Sequence, residues 1–238
     1  MKNFILAIII TLFASMTANA QEEKLKRYEL DVADFTELKV VHSINVRYVN
    51  NPDSAGRAVF IAPDKHVSMF MFNNTKNRLE IQIATDDVNL TNAPTITVYS
   101  KFLSKVENSG DSTVTLVSVA PTPKFNARLI GNGRIVAHDL DITELNASLS
   151  TGNGQLILFG KCKNAKLSCT GTGSVQADDL VANEVNCRML GTGTIGCQAI
   201  DKLSISGISS GKVYYKGNPQ EIKRRSVGVK IIPLDNEQ

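Results

Sequence analysis

Tryptophan is absent from this 238-residue chain, and aromatic residues of all kinds make up only 6% of it. A core must therefore be assembled from aliphatic and small side chains. That suits thin, repeated layers better than a groove paved with sugar-stacking rings. Neither sign of charge dominates, since 26 Lys and Arg face 23 Asp and Glu. Such a balance supplies no broad basic field for nucleic-acid phosphates. The one compact basic run, Lys223-Arg224-Arg225, is read as solvated surface. Histidine is scarce too: His42, His66 and His138 show no metal-ligand spacing, and a structural metal site needs several converging ligands.

Apolar runs are confined to the start, where Lys2 precedes the stretch Phe4 to Phe13 and Ala18-Asn19-Ala20 follows. A positive start, a short apolar core and a small-residue site make residues 1–20 a cleaved export signal. The core is too short for a stable span of a bilayer. No Cys follows the cut, so lipid attachment has no acceptor there, and no second membrane segment is evident.

Four Gly-x-Gly triplets are present: Gly131-Asn132-Gly133, Gly152-Asn153-Gly154, Gly171-Thr172-Gly173 and Gly191-Thr192-Gly193. Ser209-Ser210-Gly211 is a degenerate fifth copy. The second glycines are 21, 19, 20 and 18 residues apart, and a recurrence this even marks a repeat architecture. Apolar residues recur in step. Before the triplets run Phe125, Leu145, Ala165, Val185 and Leu203; then Ala127, Ala147, Leu167, Cys187 and Ile205; then Leu129, Leu149, Cys169, Met189 and Gly207. After them come Ile135, Leu156, Val175, Ile195 and Val213, followed by Ala137, Leu158, Ala177, Cys197 and Tyr215. This is the two-residue period of strands with one buried face. A single rung cannot bury its apolar side, whereas stacked rungs can.

The pattern predicts an all-β solenoid with rungs of about 20 residues, glycines at the corners and polar residues such as Ser148 and Lys166 facing out. Residues 106–215 hold the regular repeats. Residues 21–105 read as a less regular β-rich portion with the first rungs or a cap, and 216–238 as a closing strand or cap. Leu140, Ile142, Leu180 and Ile200 continue the core at the looser bend. Lys161-Cys162-Lys163 reads there as a solvent-facing corner.

The glycine triplets lie between strands, without the third glycine and helix of a dinucleotide site. They also lack the Asp of a calcium-binding solenoid repeat. Cys169, Cys187 and Cys197 occupy inward columns and read as buried thiols, with a Cys169–Cys187 disulfide as the alternative. Asp139 and Asp179, with Asp141 and Asp178 nearby, are the acids to weigh for glycosidic-bond cleavage, which requires a cleft and a set separation. They read as solvated bend residues. No serine lies in a recognisable nucleophile elbow. No catalytic, cofactor-binding or metal-binding residue is assigned.

Phe35-Thr36-Glu37-Leu38-Lys39-Val40, Val106-Glu107-Asn108-Ser109-Gly110, the repeated glycine turns and Tyr214-Tyr215-Lys216-Gly217-Asn218-Pro219 together resemble a bacterial secreted family. It is labelled putative auto-transporter adhesin, head GIN domain, formerly a domain of unknown function. The resemblance covers about 35 to 215. Ser209 departs from the usual first glycine, and Gly110 has no glycine two positions before it. The resemblance implies a right-handed parallel β-helix, commonly in Bacteroidetes, and carries no established catalytic residues. The expected function is a non-enzymatic, exported interaction module, adhesin-like, binding a glycan or protein at the periplasm, outer cell surface or outside the cell. A structural envelope role is the alternative, and polysaccharide processing a weaker one.

Overall fold

The computed structural model describes residues 24–84 and 93–234, so the export signal at 1–20 lies outside the described residues. The strand before each glycine corner, here the lead strand, alternates buried and exposed side chains. So does the return strand after it. Parallel stacking brings like columns together. Phe125 lies beside Leu145, then Ala165, Val185 and Leu203 in turn. Ile135, Leu156, Val175, Ile195 and Val213 stack in the same way after the corner. All ten are buried, and the product is a parallel β-helix. Full burial of each large aliphatic side chain contributes about 1.5–3 kcal/mol.

At the looser bend the same alternation runs through Lys161-Cys162-Lys163. Cys162 is buried beside Ile142 and Ala182, with the two lysines exposed. The expected solvent-facing corner is thus corrected: the lysines point out because the cysteine between them points in. Ile200 departs in the opposite sense. Ala199 takes the inward place beside Ala182, which leaves Ile200 facing solvent.

The front half contains a rung order that chain order does not give. Glu37–Val40 and Val46–Asn50 form one rung, and Lys105–Asn108 with Thr113–Ser118 stack on one side of it. Arg78–Ile83 and Ile96–Ser100 stack on its other side. The earliest rung is therefore sandwiched between two later ones. Antiparallel strands then close that end. Leu25–Asp31 pairs with Arg57–Pro63, which meets Ile96–Ser100. Phe70–Thr75 folds back on Arg78–Ile83 through Lys76 and Asn77, both at positive φ, as a tight hairpin turn requires. Tyr28, Phe60, Phe70 and Phe72 gather in this cap. The Phe60 ring lies 5.6 Å from Tyr28 and 5.4 Å from Phe70.

The sandwiched rung carries an ion ladder. Glu37 accepts from Arg78 at 3.0 Å on one side and approaches Lys105 at 3.4 Å on the other. Partial burial pushes its carboxyl up, but the hydrogen bond from Arg78 and the charge of Lys105 outweigh this and hold it below the ordinary glutamate value of 4.5. A lowered folded value stabilises the fold fully above the unfolded value. That contribution is lost as pH falls through the folded one. Glu37→Gln is expected to cost about 1 kcal/mol or less at neutral pH. The gap between variant and parent should close in acid, as urea unfolding at the two pH values would reveal.

Candidate functional site

Every second residue of a lead strand faces outward, so the same stacking that builds the core builds columns on the surface. Asn126, Asn146, Lys166, Asn186, Ser204 and Lys223 form one; Arg128, Ser148, Ser168, Arg188, Ser206 and Arg225 form the next. Neighbouring rungs are about 4.8 Å apart, a spacing close to the length of one sugar in an extended polymer. The Asn146 amide donates to Asn126 at 3.1 Å. Asn146, Ser148, Lys166, Ser168, Asn186 and Arg188 line a shallow depression of about 370 Å³.

Some charges on this face are paired: Lys202 and Lys223 lie 3.3 and 2.8 Å from Glu221, and Arg128 lies 3.9 Å from Glu107. Lys166, Arg188 and Arg225 are exposed and have no ion pair among the described residues. The face therefore offers amides, hydroxyls and free cations in a fixed register. The backbone register fixes where each side chain starts, and the free lysine and arginines would be ordered on binding a ligand. A larger groove of about 820 Å³ lies at the looser bend between Pro121, Thr143 and Lys163. There Lys161 is already bonded to Asp141 at 3.2 Å.

The acids do not assemble into a cleaving pair. Lys216 binds Asp179 at 3.2 Å and Asp178 at 3.4 Å. The Asp179 bond foremost holds the Lys216 ammonium above its ordinary value. Asp139 stands at a bend with φ of 53° and lines a different depression with Arg47 and His138. Asp179 does not line that depression. His138 stacks flat on Phe159 with centroids 5.1 Å apart. The ring nitrogen Nδ1 of His42 accepts from the Ile83 amide at 3.3 Å. No group of three or more potential metal ligands occurs among the described residues.

The four cysteines are buried thiols. Burial pushes Cys162 up to about 11 and raises Cys169. The Cys187 thiol is raised chiefly by its contact with Cys197. A nucleophile needs the opposite shift. The Cys169–Cys187 alternative joins two different columns. The structure instead brings Cys187 within 3.9 Å of Cys197 across the rung, while Cys169 faces the carbonyls of Gly171 and Gly173. Sequence spacing missed this contact because the pair is closed by the corner between two strands of one rung.

A family model described as putative auto-transporter adhesin, head GIN domain, matches residues 34–219. No curated protein matches. Solved structures of similar fold include a putative adhesin from Bacteroides fragilis. It is 25% identical with a TM-score of 0.80, covering 89% of this chain and 97% of that one. A putative lipid binding protein from Parabacteroides distasonis is 19% identical with a TM-score of 0.70, covering 90% and 98%. A putative adhesin from Parabacteroides merdae is 18% identical with a TM-score of 0.67, covering 90% and 98%.

Proposed function

We propose, from the premise that the chain belongs to the putative auto-transporter adhesin, head GIN domain family, that it is a non-enzymatic, exported interaction module of the cell envelope. It holds a glycan along the outward face of its lead strands. The observation that carries this reading is the registered pair of polar columns running from Asn126 and Arg128 to Lys223 and Arg225. Their even spacing from rung to rung would let successive units of one extended ligand meet successive rungs. Support for a binding rather than a cleaving role comes from the acids, which are either occupied by Lys216 or apart from one another. Support for export comes from the apolar leader at 1–20 and from the adhesin relatives. The unit that presents the face is the regular repeat at 106–215, closed by 216–238.

The processed protein, purified from the exporting cell, is expected to bind specific members of a glycan array with saturation. Lys166→Ala should weaken that binding by about tenfold, the worth of one charge-assisted hydrogen bond. An array without saturable binding would remove the glycan reading. So would binding indifferent to Lys166→Ala, and a protein partner recovered by pull-down in its place would redirect the face to protein.

A further inference from the structure

The outward columns change character in the last three rungs. Ile208 and Val227 end their lead strands and pair with each other, and Leu190 directly follows the lead strand that ends at Met189, in the same place before its corner. They are 43%, 76% and 69% exposed. The same position in earlier rungs holds Ile130, Ser150 and Thr170, of which only Thr170 is exposed. Three consecutive large aliphatic side chains, about 4.8 Å apart, thus form a ridge along one corner near the far end of the helix.

Cations flank this ridge on both sides. Arg188 and Arg225 belong to the neighbouring lead-strand column. Past the corner, Lys212 and Lys230 open the last two return strands and stack on each other. All four are exposed, and none has an ion pair among the described residues. The charge behind them is concentrated too. Residues 201–238 contain seven Lys and Arg against four Asp and Glu, a surplus of three that equals the +3 of the whole chain. The opposite end is closed by the antiparallel cap.

We infer that this corner docks onto an anionic lipid surface, with Leu190, Ile208 and Val227 entering the acyl boundary and the flanking lysines and arginines meeting lipid phosphates. An apolar strip bordered by Lys and Arg is the composition that lies at a bilayer interface. Each basic residue near an anionic leaflet adds to the attraction. A protein partner fits less well. Protein hot spots are rich in Trp and Tyr set in pockets, and this ridge is purely aliphatic and projects from a corner. The inference shares Arg188 and Arg225 with the glycan face but is tested apart from it through Lys212 and Lys230, which lie on the return strands, outside the lead-strand columns.

The processed protein is expected to co-sediment with phosphatidylcholine vesicles containing phosphatidylglycerol, weakly with phosphatidylcholine alone, and less as salt is raised. Lys212→Glu with Lys230→Glu, or Ile208→Ser with Val227→Ser, should each weaken binding about tenfold or more. Lys163→Glu, a charge reversal at the remote bend, should leave it unchanged. These side chains are exposed, so an unaltered unfolding midpoint would show the fold intact. Absence of vesicle binding overturns the inference, as does binding that both double variants retain or that Lys163→Glu reduces equally. Vesicle binding with the array silent would keep this inference and remove the glycan reading; the reverse would do the opposite.

Discussion

Gly173→Val is expected to lower the thermal unfolding midpoint by roughly 10 °C, equivalent to about 4 kcal/mol in a chain of this size. The cause is not the backbone angle, since Gly173 is not among the glycines at positive φ. A Cβ built there would stand 2.0 Å from the carbonyl oxygen of Gly154 and 2.7 Å from its nitrogen. Those are backbone atoms of the neighbouring rung, held by ladder bonds. Ser174 donates to Gly154 at 3.0 Å, and Thr194 donates to Gly173 at 3.0 Å. Relief therefore means parting two rungs and loosening several hydrogen bonds, each worth about 1 kcal/mol net, in addition to ordinary overpacking. Because the first side-chain atom already collides, Gly173→Ala should show most of the loss. Thr172→Val, at the exposed middle of the same corner, should cost about 1 kcal/mol or less, since only its 3.3 Å hydroxyl bond to Gly152 disappears. Equal stability of Gly173→Val and the parent in a thermal melt would contradict the close-approach account. The first glycines of the two Gly-Asn-Gly triplets answer to another demand as well: Gly131 and Gly152 have φ of +101° and +78°, where a side chain is strained whatever the space.

The repeat was legible because it is enforced twice, by alternation within each strand and by glycine at each corner. The columns read from spacing are the columns that pair, from Phe125 to Leu203 and from Ile135 to Val213. The cap end was not legible in the same way. Placing Glu37–Val40 between Arg78–Ile83 and Lys105–Asn108 depends on pairings between segments far apart in sequence, and no periodicity records them. The complementary charges of Glu37, Arg78 and Lys105 were visible signals, but charge alone selects no partner among many. Cys162 shows a different failure. Its flanking lysines suggested a wet corner, although the two-residue period already assigned it to the interior. The candidate site lay in plain sight as the outward half of each repeat. What spacing could not show was which cations remain unpaired, because Lys202 and Lys223 converge on Glu221 while Arg188 and Arg225 do not.

Asn108→Leu is expected to destabilise the fold by about 3 kcal/mol, even though leucine is what the next two rungs use in this column. Asn108 stacks between Val40 and Leu129 and is fully buried, so hydrophobicity alone would favour the change by about 1.5–3 kcal/mol. Its amide, however, is occupied on every side. Nδ2 donates to the carbonyls of Ser112 at 2.9 Å and Arg134 at 3.1 Å, and Oδ1 accepts from the Gly110 amide at 3.0 Å. This corner is Asn108-Ser109-Gly110-Asp111, without the first glycine of the later triplets, and the asparagine side chain closes it instead. Leucine would leave the Gly110 amide and the Arg134 carbonyl without that partner and take one of two donors from the Ser112 carbonyl, which keeps the Arg134 amide at 2.8 Å; at about 1–3 kcal/mol for each buried group left unpaired, the losses exceed the apolar gain. The loss should be local as well as global: the Gly110 amide should exchange with solvent far faster in the variant, while amides of the Leu167 rung keep their relative protection. A chemical melt in which Asn108→Leu equals or exceeds the parent, with Gly110 still protected, would mean that the column's apolar pattern rather than the corner's hydrogen bonds governs this rung.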